Sequence, residues 1–251
     1  MKNFWKAVND VMRRSDVLLM ILDARFIEQT RNPEIEQKVR RLGKPLIYVI
    51  TKSDLVGDKK ALESWKKRLR PSVFVSVRKH QGSLKLRDRI LIEADRCCGK
   101  QYEIWVGVLG YPNVGKSSII NLMKGRHSAS TSKLSGHTKS VQMIKADKRI
   151  MFLDTPGVIP YMEDDRIKHI SIGAIDFSKA RDPDLAASEF MRRFPGKIEA
   201  YYGVKASPEE DKQDTLEAIA MKKNVLKKGG LPDVIRASRM ILHDFQTGKI
   251  R

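Results

Sequence analysis

The stretch that decides the fold is Gly110-Tyr111-Pro112-Asn113-Val114-Gly115-Lys116-Ser117. It fits the phosphate-binding pattern Gly-x-x-x-x-Gly-Lys-Ser/Thr, which a chain of this length would match by chance on the order of one time in a hundred. The apolar run Ile104 to Leu109 precedes it, and residues of helical character follow it from Ser118. A strand, a glycine-rich turn and a helix in this order aim backbone amides and the positive end of the helix at phosphate. The alternative is an ordinary glycine turn.

Two residues of this loop and three residues later in the chain form a predicted phosphate and magnesium site. Lys116 is expected to reach the β and γ phosphates, and Ser117 to ligate magnesium. Asp154, in Asp154-Thr155-Pro156-Gly157, is expected to hold magnesium through a water, while the amide of Gly157 meets a γ phosphate. Thr138, in Gly136-His137-Thr138, is the candidate switch residue for both magnesium and γ phosphate. The predicted phosphate-binding residues are Asn113, Val114, Gly115, Lys116, Ser117, Ser118, Thr138 and Gly157.

A second motif, Thr51-Lys52-Ser53-Asp54, follows the aliphatic run Pro45 to Ile50 and fits the guanine-reading pattern Asn/Thr-Lys-x-Asp. A carboxylate at Asp54 can accept from guanine N1 and the exocyclic amine, which discriminates against adenine by up to roughly ten-thousandfold. The aliphatic stem of Lys52 would lie along the base. A backbone amide near Ser76 and Val77 could meet O6. The predicted guanine-binding residues are Thr51, Lys52, Asp54, Ser76 and Val77, although Lys-x-Asp after a strand can also be a plain turn.

Short apolar runs alternate with stretches of helical period up to about residue 160. The predicted strands are Val17 to Asp23, Pro45 to Ile50, Val73 to Val77, Ile104 to Leu109, Val141 to Ala146 and Ile150 to Leu153. The predicted helices are Asn32 to Leu42, Lys59 to Leu69, Leu84 to Cys98 and Lys116 to Lys124. This alternation predicts an α/β fold with a mostly parallel sheet.

The remainder of the chain shows helical period alone. The segments Asp184 to Arg193, Lys212 to Lys227 and Asp233 to Thr247 are separated by proline and glycine. We therefore expect an α/β domain over residues 1–175 and a small all-helical domain over 176–251.

The overall composition favours a soluble cytoplasmic protein. The apolar fraction of 41% supports a folded core. The longest aliphatic run, Val17 to Leu22, is too short to cross a bilayer, and the N-terminus lacks the features of a signal peptide. Cys97 and Cys98 are too few for a disulfide scaffold or a four-cysteine zinc site, and we expect them in the core at a helix end.

Positive charge is concentrated in one part of the chain. The 49 Lys and Arg against 30 Asp and Glu give a net charge of +19. Residues 59–100 hold thirteen basic and four acidic side chains, a net of +9. A cluster of one sign predicts a polyanion partner, with RNA bound through its phosphates as the first choice. Solvated helix faces are the alternative.

The order of the motifs resembles that of the circularly permuted GTPases. Guanine-reading residues normally follow the phosphate loop, whereas here Thr51 to Asp54 and Ser76 precede it. The run from Ser15 to Arg25, with Asn32-Pro33, is similar to the YlqF/RbgA-like branch. This resemblance implies a P-loop GTPase domain with permuted motif order, GTP or GDP and Mg²⁺ as ligands, and a role in assembly of the large ribosomal subunit. The implied partners are ribosomal RNA or a large-subunit precursor, with no membrane, and we expect a monomer.

Two departures from the resemblance concern catalysis and the base. Val158 stands where a Ras-like enzyme has its water-positioning Gln, so the catalytic group is unassigned. His137 is a candidate substitute, and a solvated loop histidine is the alternative. Thr51 stands where Asn is commoner. Asn113 matches the residue with which relatives bind an activating K⁺, which the resemblance alone implies.

Three other functions fit the same residues. The chain could serve a different RNA target in a GTP-dependent way, bind GTP with negligible turnover, or be an ATPase. A slow GTPase stimulated by its partner is the function that the sequence favours.

Overall fold

The computed structural model describes residues 2–100, 103–124, 142–155, 169, 172, 182–205 and 212–250. The chain divides into two compact units, Met1–Glu163 and Asp164–Arg251. This division falls earlier than the boundary expected between residues 175 and 176. The residues around both positions lie outside the described ranges, so the domain boundary stays a prediction.

The first unit alternates strands and helices. Its strands are β1 (Val17–Asp23), β2 (Leu46–Thr51), β3 (Ser72–Phe74), β4 (Ile104–Leu109), β5 (Gln142–Lys145) and β6 (Ile150–Asp154). Its described helices are α1 (Lys2–Arg14), α2 (Ile27–Thr30), α3 (Pro33–Arg41), α4 (Lys59–Arg68), α5 (Ser83–Cys98) and α6 (Lys116–Lys124), with a 3₁₀ turn at Ser53–Leu55. The predicted alternation is confirmed, and α1 and α2 are additions to it.

The strands form a six-stranded sheet in the order β3-β2-β1-β4-β6-β5. All neighbours are parallel except β5 and β6, which are antiparallel. Asp23 lies opposite Thr51, and Val108 opposite Asp154. The mostly parallel sheet is therefore confirmed, and the carboxyl ends of β2, β1, β4 and β6 meet at one edge.

Local signals explain where the elements begin. All seven residues of β1 are buried, as expected for a central parallel strand covered on both faces. The side chain of Asn32 accepts from the amide of Ile35 at 3.1 Å, and Pro33 opens α3. Asp58 accepts from the amides of Lys60 and Ala61 and starts α4 in the same way.

Two expectations need correction. Cys97 and Cys98 are exposed at the end of α5, and therefore do not belong to the core. Strand β3 ends at Phe74, because Ser76 forms an antiparallel bridge with Gln81 and the chain turns back there.

The second unit contains four α-helices within residues 182–205 and 212–250: α7 (Pro183–Arg193), α8 (Lys197–Tyr202), α9 (Gln213–Lys222) and α10 (Val234–Gln246). A short antiparallel bridge joins Leu226 and Pro232. The rings of Phe190 and Phe245 lie 4.4 Å apart between α7 and α10. Helix α8 lies between Gly196 and Gly203 and was not expected from the sequence. Among all the described residues, no helix is both long and apolar enough to cross a bilayer.

Helix α1 packs closely on the sheet at Gly107. A Cβ atom at this position would lie 2.5 Å from Ser15 Oγ, 2.6 Å from Leu18 Cδ2 and 2.8 Å from Val11 Cγ1. We expect Gly107→Ala to lower the free energy of unfolding by about 1 to 3 kcal/mol, because the neighbours must move to admit the methyl group.

Denaturant unfolding measures this loss, with Gly57→Ala as the matched control. A Cβ at Gly57 meets nothing within 4 Å, so that variant should stay within about 0.5 kcal/mol of the unmodified protein. Equal stabilities for the two variants would contradict the close contact at Gly107.

Candidate functional site

The loop between β4 and α6 has the backbone of a phosphate-binding turn. Gly110, Asn113 and Gly115 all have positive φ, at 145°, 59° and 107°. A Cβ on Gly110 would lie 2.7 Å from the carbonyl oxygen of Ile21, so glycine is required where the loop passes β1. Gly115 accepts from the amide of Ile119 at 2.9 Å, and the loop leads directly into α6.

The side chain of Lys116, the lysine of the loop, is buried against the loop backbone. Lys116 is buried, and its Nζ donates to the carbonyl oxygens of Gly110 at 3.2 Å and Tyr111 at 2.7 Å. Burial lowers the pKa of Lys116 to about 8, although the Asp154 carboxylate acts in the opposite direction. The backbone carbonyl oxygens of the loop therefore hold the Lys116 ammonium in place.

Two predicted magnesium ligands lie together at the carboxyl end of β6. Ser117 Oγ donates to Asp154 Oδ2 at 3.2 Å. The next residue, Thr155, is buried and its Oγ1 donates to the carbonyl oxygen of Val108 at 2.6 Å, which anchors the end of β6 to β4. Hydroxyl and carboxylate oxygens are the ligands that Mg²⁺ takes in proteins. Ser118, the third residue of α6 and also a predicted phosphate-binding residue, is half-buried.

Thr51 forms a hydrogen bond to the backbone of the phosphate loop. It is buried, and its hydroxyl lies 2.7 Å from the carbonyl oxygen of Val114 and 2.9 Å from that of Leu22, so one hydrogen is shared between two acceptors. A Cβ on Gly115 would sit 3.7 Å from Thr51 Oγ1. The hydroxyl of Thr51 thus connects β2 and β1 to the phosphate loop.

Lys52 reaches from β2 toward the same loop. Its backbone is left-handed, with φ 56°. Its Nζ donates to Asp23 Oδ2 at 2.7 Å and to the carbonyl oxygen of Asn113 at 3.3 Å. Burial lowers the pKa of Lys52, and Asp23 opposes that shift. The ammonium therefore joins the predicted guanine and phosphate elements.

The two predicted guanine elements contact each other. Ser76 Oγ donates to Asp54 Oδ1 at 2.6 Å and accepts from the amide of Lys79 at 3.1 Å. Val77 lies in the same turn, where its carbonyl oxygen accepts from the amide of His80 at 3.2 Å. One oxygen of the Asp54 carboxylate is thus oriented by Ser76.

Four predicted residues lie outside the described part of the chain: Thr138, Gly157, Val158 and His137. Their roles stay predictions. The structure brings together the others, from β2, the turn after β3, the phosphate loop and β6.

Sequence reasoning gave no role to Asp23, which lies at the end of β1. Its side chain is fully buried and is paired with Arg25 Nη2 at 2.8 Å as well as with Lys52. Burial acts to raise the pKa of Asp23, but Lys52 and Arg25 outweigh it and hold the pKa at about 2. An acidic residue directly after a continuous apolar strand is the signal that could have identified it.

Several known proteins are similar to this chain in sequence. Residues 105–188 match the family described as 50S ribosome-binding GTPase. The GTP-binding protein MJ1464 of Methanocaldococcus jannaschii is 39% identical over 253 residues, covering 98% of this chain and 65% of the relative. GTPase grn1 of Schizosaccharomyces pombe is 30% identical and nuclear/nucleolar GTPase 2 of Arabidopsis thaliana 32% identical, each over 99% of this chain. The chain spans 61% and 44% of the lengths of these two.

The fold is shared with solved structures of YlqF. The GNP-bound crystal structure of YlqF from T. maritima has a TM-score of 0.68 at 22% identity, covering 98% of this chain and 94% of that chain. The GDP-bound structure gives 0.65 at 22% identity, over 96% and 94%. The expected resemblance to YlqF is confirmed at the level of the fold. The likeness to YlqF shows the fold, in which the element on β2 precedes the phosphate loop along the chain.

The buried Lys116 makes stability depend on pH in a defined direction. In the unfolded chain the Lys116 ammonium keeps its proton up to the ordinary pKa of 10.5, whereas in the folded chain its pKa is about 8. Between these values the unfolded state binds more protons, so stability rises with pH. We expect the unfolding free energy of the unmodified protein to increase relative to that of Lys116→Met as the pH rises from 8 to 10.

Denaturant unfolding of both proteins at several pH values gives this difference, in which the titration of all other groups cancels. A difference that does not change with pH would show that Lys116 titrates normally.

Proposed function

We propose that the protein is a GTP-binding and GTP-hydrolysing switch that acts in assembly of the large ribosomal subunit through binding of ribosomal RNA. The observation that carries the proposal is the single sheet edge at which the guanine element and the phosphate loop meet. There the Lys52 ammonium contacts the carbonyl oxygen of Asn113, and the Ser76 hydroxyl orients Asp54. The family matched by residues 105–188 and the GTP-binding names of the relatives support the same conclusion.

The guanine base is proposed to bind between Asp54 and the Lys52 stem. One carboxylate oxygen of Asp54 accepts from Ser76, and the carboxylate retains further acceptor capacity for the guanine N1 and amine protons. Thr51 supports this element from below, through the carbonyl oxygen of Val114.

The magnesium ligands are proposed to be Ser117 and Thr138, with Asp154 acting through a water. The oxygens of Ser117 and Asp154, 3.2 Å apart, fit a hard divalent cation. When bound, Mg²⁺ would neutralise charge on the phosphates, while Lys116 and the loop amides would orient them. The role of Asn113 in binding K⁺ and that of Gly157 at the γ phosphate stay predictions.

Hydrolysis is proposed to be slow until a partner binds. Valine at position 158 has no polar group with which to orient a water, so the partner or His137 must do so. Single-turnover hydrolysis with and without ribosomal subunits tests this. No turnover in either condition would favour a GTP-binding module that does not hydrolyse.

Asp54→Asn tests base recognition. The substitution replaces one acceptor by a donor that faces the guanine donors, so GTP affinity should fall by at least about a hundredfold while XTP affinity rises. Fluorescence titration with both nucleotides measures the change. Lys116→Ala is the comparison, because it should weaken both nucleotides alike through the phosphates. Unchanged GTP affinity and selectivity would remove Asp54 from the base site.

The RNA partner is proposed to bind a basic groove between α4 and α5, which we call the α4–α5 groove. Its cations outnumber its acids, since the lining residues include Lys66, Lys67, Arg70, Arg89 and Arg96 against Glu63 and Glu93. Lys66, Lys67 and Arg70 are exposed. The ion pair of Lys66 with Glu63, at 3.6 Å, is exposed on both sides and weak, so Lys66 can turn to phosphate at little cost.

Charge reversal in the α4–α5 groove tests the RNA contact. Changing Lys66, Lys67 and Arg70 to Glu together should weaken binding to ribosomal RNA and flatten its salt dependence, because each lost phosphate contact removes about 0.7 to 0.9 from the log-log slope. Nucleotide affinity should stay unchanged. Binding titrations over a range of salt concentrations give both slopes.

The matched control reverses Arg13, Arg40 and Arg41, which are exposed on α1 and at the end of α3. It changes the net charge by the same amount outside the groove and should keep most of the slope. Equal losses in the two triple variants would show that net charge, and not the groove, attracts RNA.

Sedimentation of the GTP-analogue complex with ribosomal subunits separates a ribosomal target from another RNA. The relative from Arabidopsis thaliana carries a nuclear/nucleolar name, and the cytoplasmic location expected from the sequence stays a prediction.

A further inference from the structure

The strongest feature that the proposed function does not use is a buried charge cluster at the end of β1. The Asp23 side chain has an exposed fraction of 0%, whereas Arg25 and Lys52 are exposed by 10% and 27%. Asp23 Oδ1 accepts from the backbone amide and Nε of Arg25, both at 3.0 Å, and Oδ2 accepts from Arg25 Nη2 at 2.8 Å and Lys52 Nζ at 2.7 Å. Both carboxylate oxygens are therefore engaged by cations.

We propose that Asp23 is a positioning residue for guanine recognition: its carboxylate fixes the Lys52 ammonium against the phosphate loop and so holds the Lys52 stem where the base lies. The inference rests on the proposed function, since it assigns Asp23 to the same nucleotide site. Asp23 acts through Lys52 and does not itself touch the nucleotide.

The Asp23 carboxylate is also held by groups other than Lys52. Arg25 donates three hydrogen bonds to the carboxylate, and the backbone amide of Asp23 donates to Thr30 Oγ1 at 3.2 Å. Thr30 Oγ1 in turn donates to the carbonyl oxygen of Phe26 at 2.7 Å. Asp23 thus offers Lys52 a fixed anion, which a hydrated surface carboxylate could not do.

Lys52 needs such an anchor. Its left-handed backbone, with φ 56°, is an uncommon conformation for a residue with a side chain, and four rotatable bonds separate its backbone from its ammonium. The ammonium also lies 3.3 Å from the carbonyl oxygen of Asn113, a neutral acceptor. Charge-assisted hydrogen bonds are roughly twice as strong as neutral ones, so Asp23 supplies most of the restraint.

The position of β1 explains why the anchor lies there. Strand β1 pairs with β2, which carries Lys52, and with β4, which leads into the phosphate loop. A carboxylate at the carboxyl end of β1 therefore lies between the two elements that must act on one nucleotide. The chain of contacts Arg25, Asp23, Lys52 and Asn113 joins all three.

The competing explanation is that Asp23 only stabilises the fold. Breaking a buried ion pair is strongly destabilising in either case, so stability alone cannot separate the two explanations. A coupling between Asp23 and Lys52 in nucleotide affinity does separate them, because a merely structural residue would act independently of the lysine.

The test is a double-mutant cycle on the intact chain with Asp23→Asn, Lys52→Met and both together. GDP affinity is measured by titration, and the free energy of unfolding by denaturant. We expect Asp23→Asn to weaken GDP binding by roughly ten- to a hundredfold, as for the loss of a hydrogen bond between charged groups. In the Lys52→Met background the same change should cost no more than about twofold.

The matched control is Asp147→Asn. Asp147 Oδ2 pairs with Arg87 Nε at 2.6 Å, and Oδ1 accepts from the amides of Arg149 and Ile150 in the turn between β5 and β6. This variant loses an ion pair outside the nucleotide site, which is more exposed than the pairs of Asp23. It should lose stability and retain GDP affinity.

The outcomes of the cycle separate the inference from the proposed function. Additive losses in the cycle, or unchanged GDP affinity in Asp23→Asn, would overturn it while leaving the proposed function standing. A wild-type chain that does not bind GDP would overturn the proposed function itself. If Asp23→Asn does not fold, a cycle of Arg25→Gln with Lys52→Met replaces it: non-additive losses support the inference and additive losses overturn it.

Discussion

The parallel pairing of β1 with both β2 and β4 is the contact on which the rest of the structure depends. It places Asp23 opposite Thr51 and brings Met20 opposite Leu109, so three strands end at one edge. Residues that are far apart in the chain, such as Lys52 and Asn113, thereby come within hydrogen-bond distance. The predicted guanine element can precede the phosphate loop along the chain and still lie beside it, because the sheet, and not the chain order, sets the positions of the two elements.

The phosphate loop is held in shape by side chains that donate to its carbonyl oxygens. Thr51 donates to Val114, Lys52 to Asn113, and Lys116 to Gly110 and Tyr111. Each of these hydrogen bonds satisfies a backbone carbonyl oxygen of the loop and restrains the loop's shape. The same three side chains join β2, β4 and α6. The contacts that preorganise the site are therefore also contacts that pack these elements together.

Much of this could be predicted from the sequence, because the strands are continuous apolar runs and the phosphate loop has a specific spacing. Strand β1 and helix α6 have the predicted bounds. Helix α1 was missed although Val8, Val11 and Met12 have helical spacing, and its close packing at Gly107 depends on tertiary contacts. The role of Thr51 beneath the loop and that of Asp23 beside Lys52 depend on strand neighbours, which local sequence does not specify. Cys97 and Cys98 were expected in the core, whereas both are exposed at the end of α5.

The central claim is that one edge of this sheet recognises a guanine nucleotide. Its most direct test is displacement of a fluorescent GDP analogue from the purified chain by GDP and by ADP, in magnesium buffer. The account predicts that GDP displaces the probe at concentrations at least about a thousandfold lower than ADP, because adenine leaves the Asp54 carboxylate without its donors. Displacement by GDP and ADP at similar concentrations would contradict it.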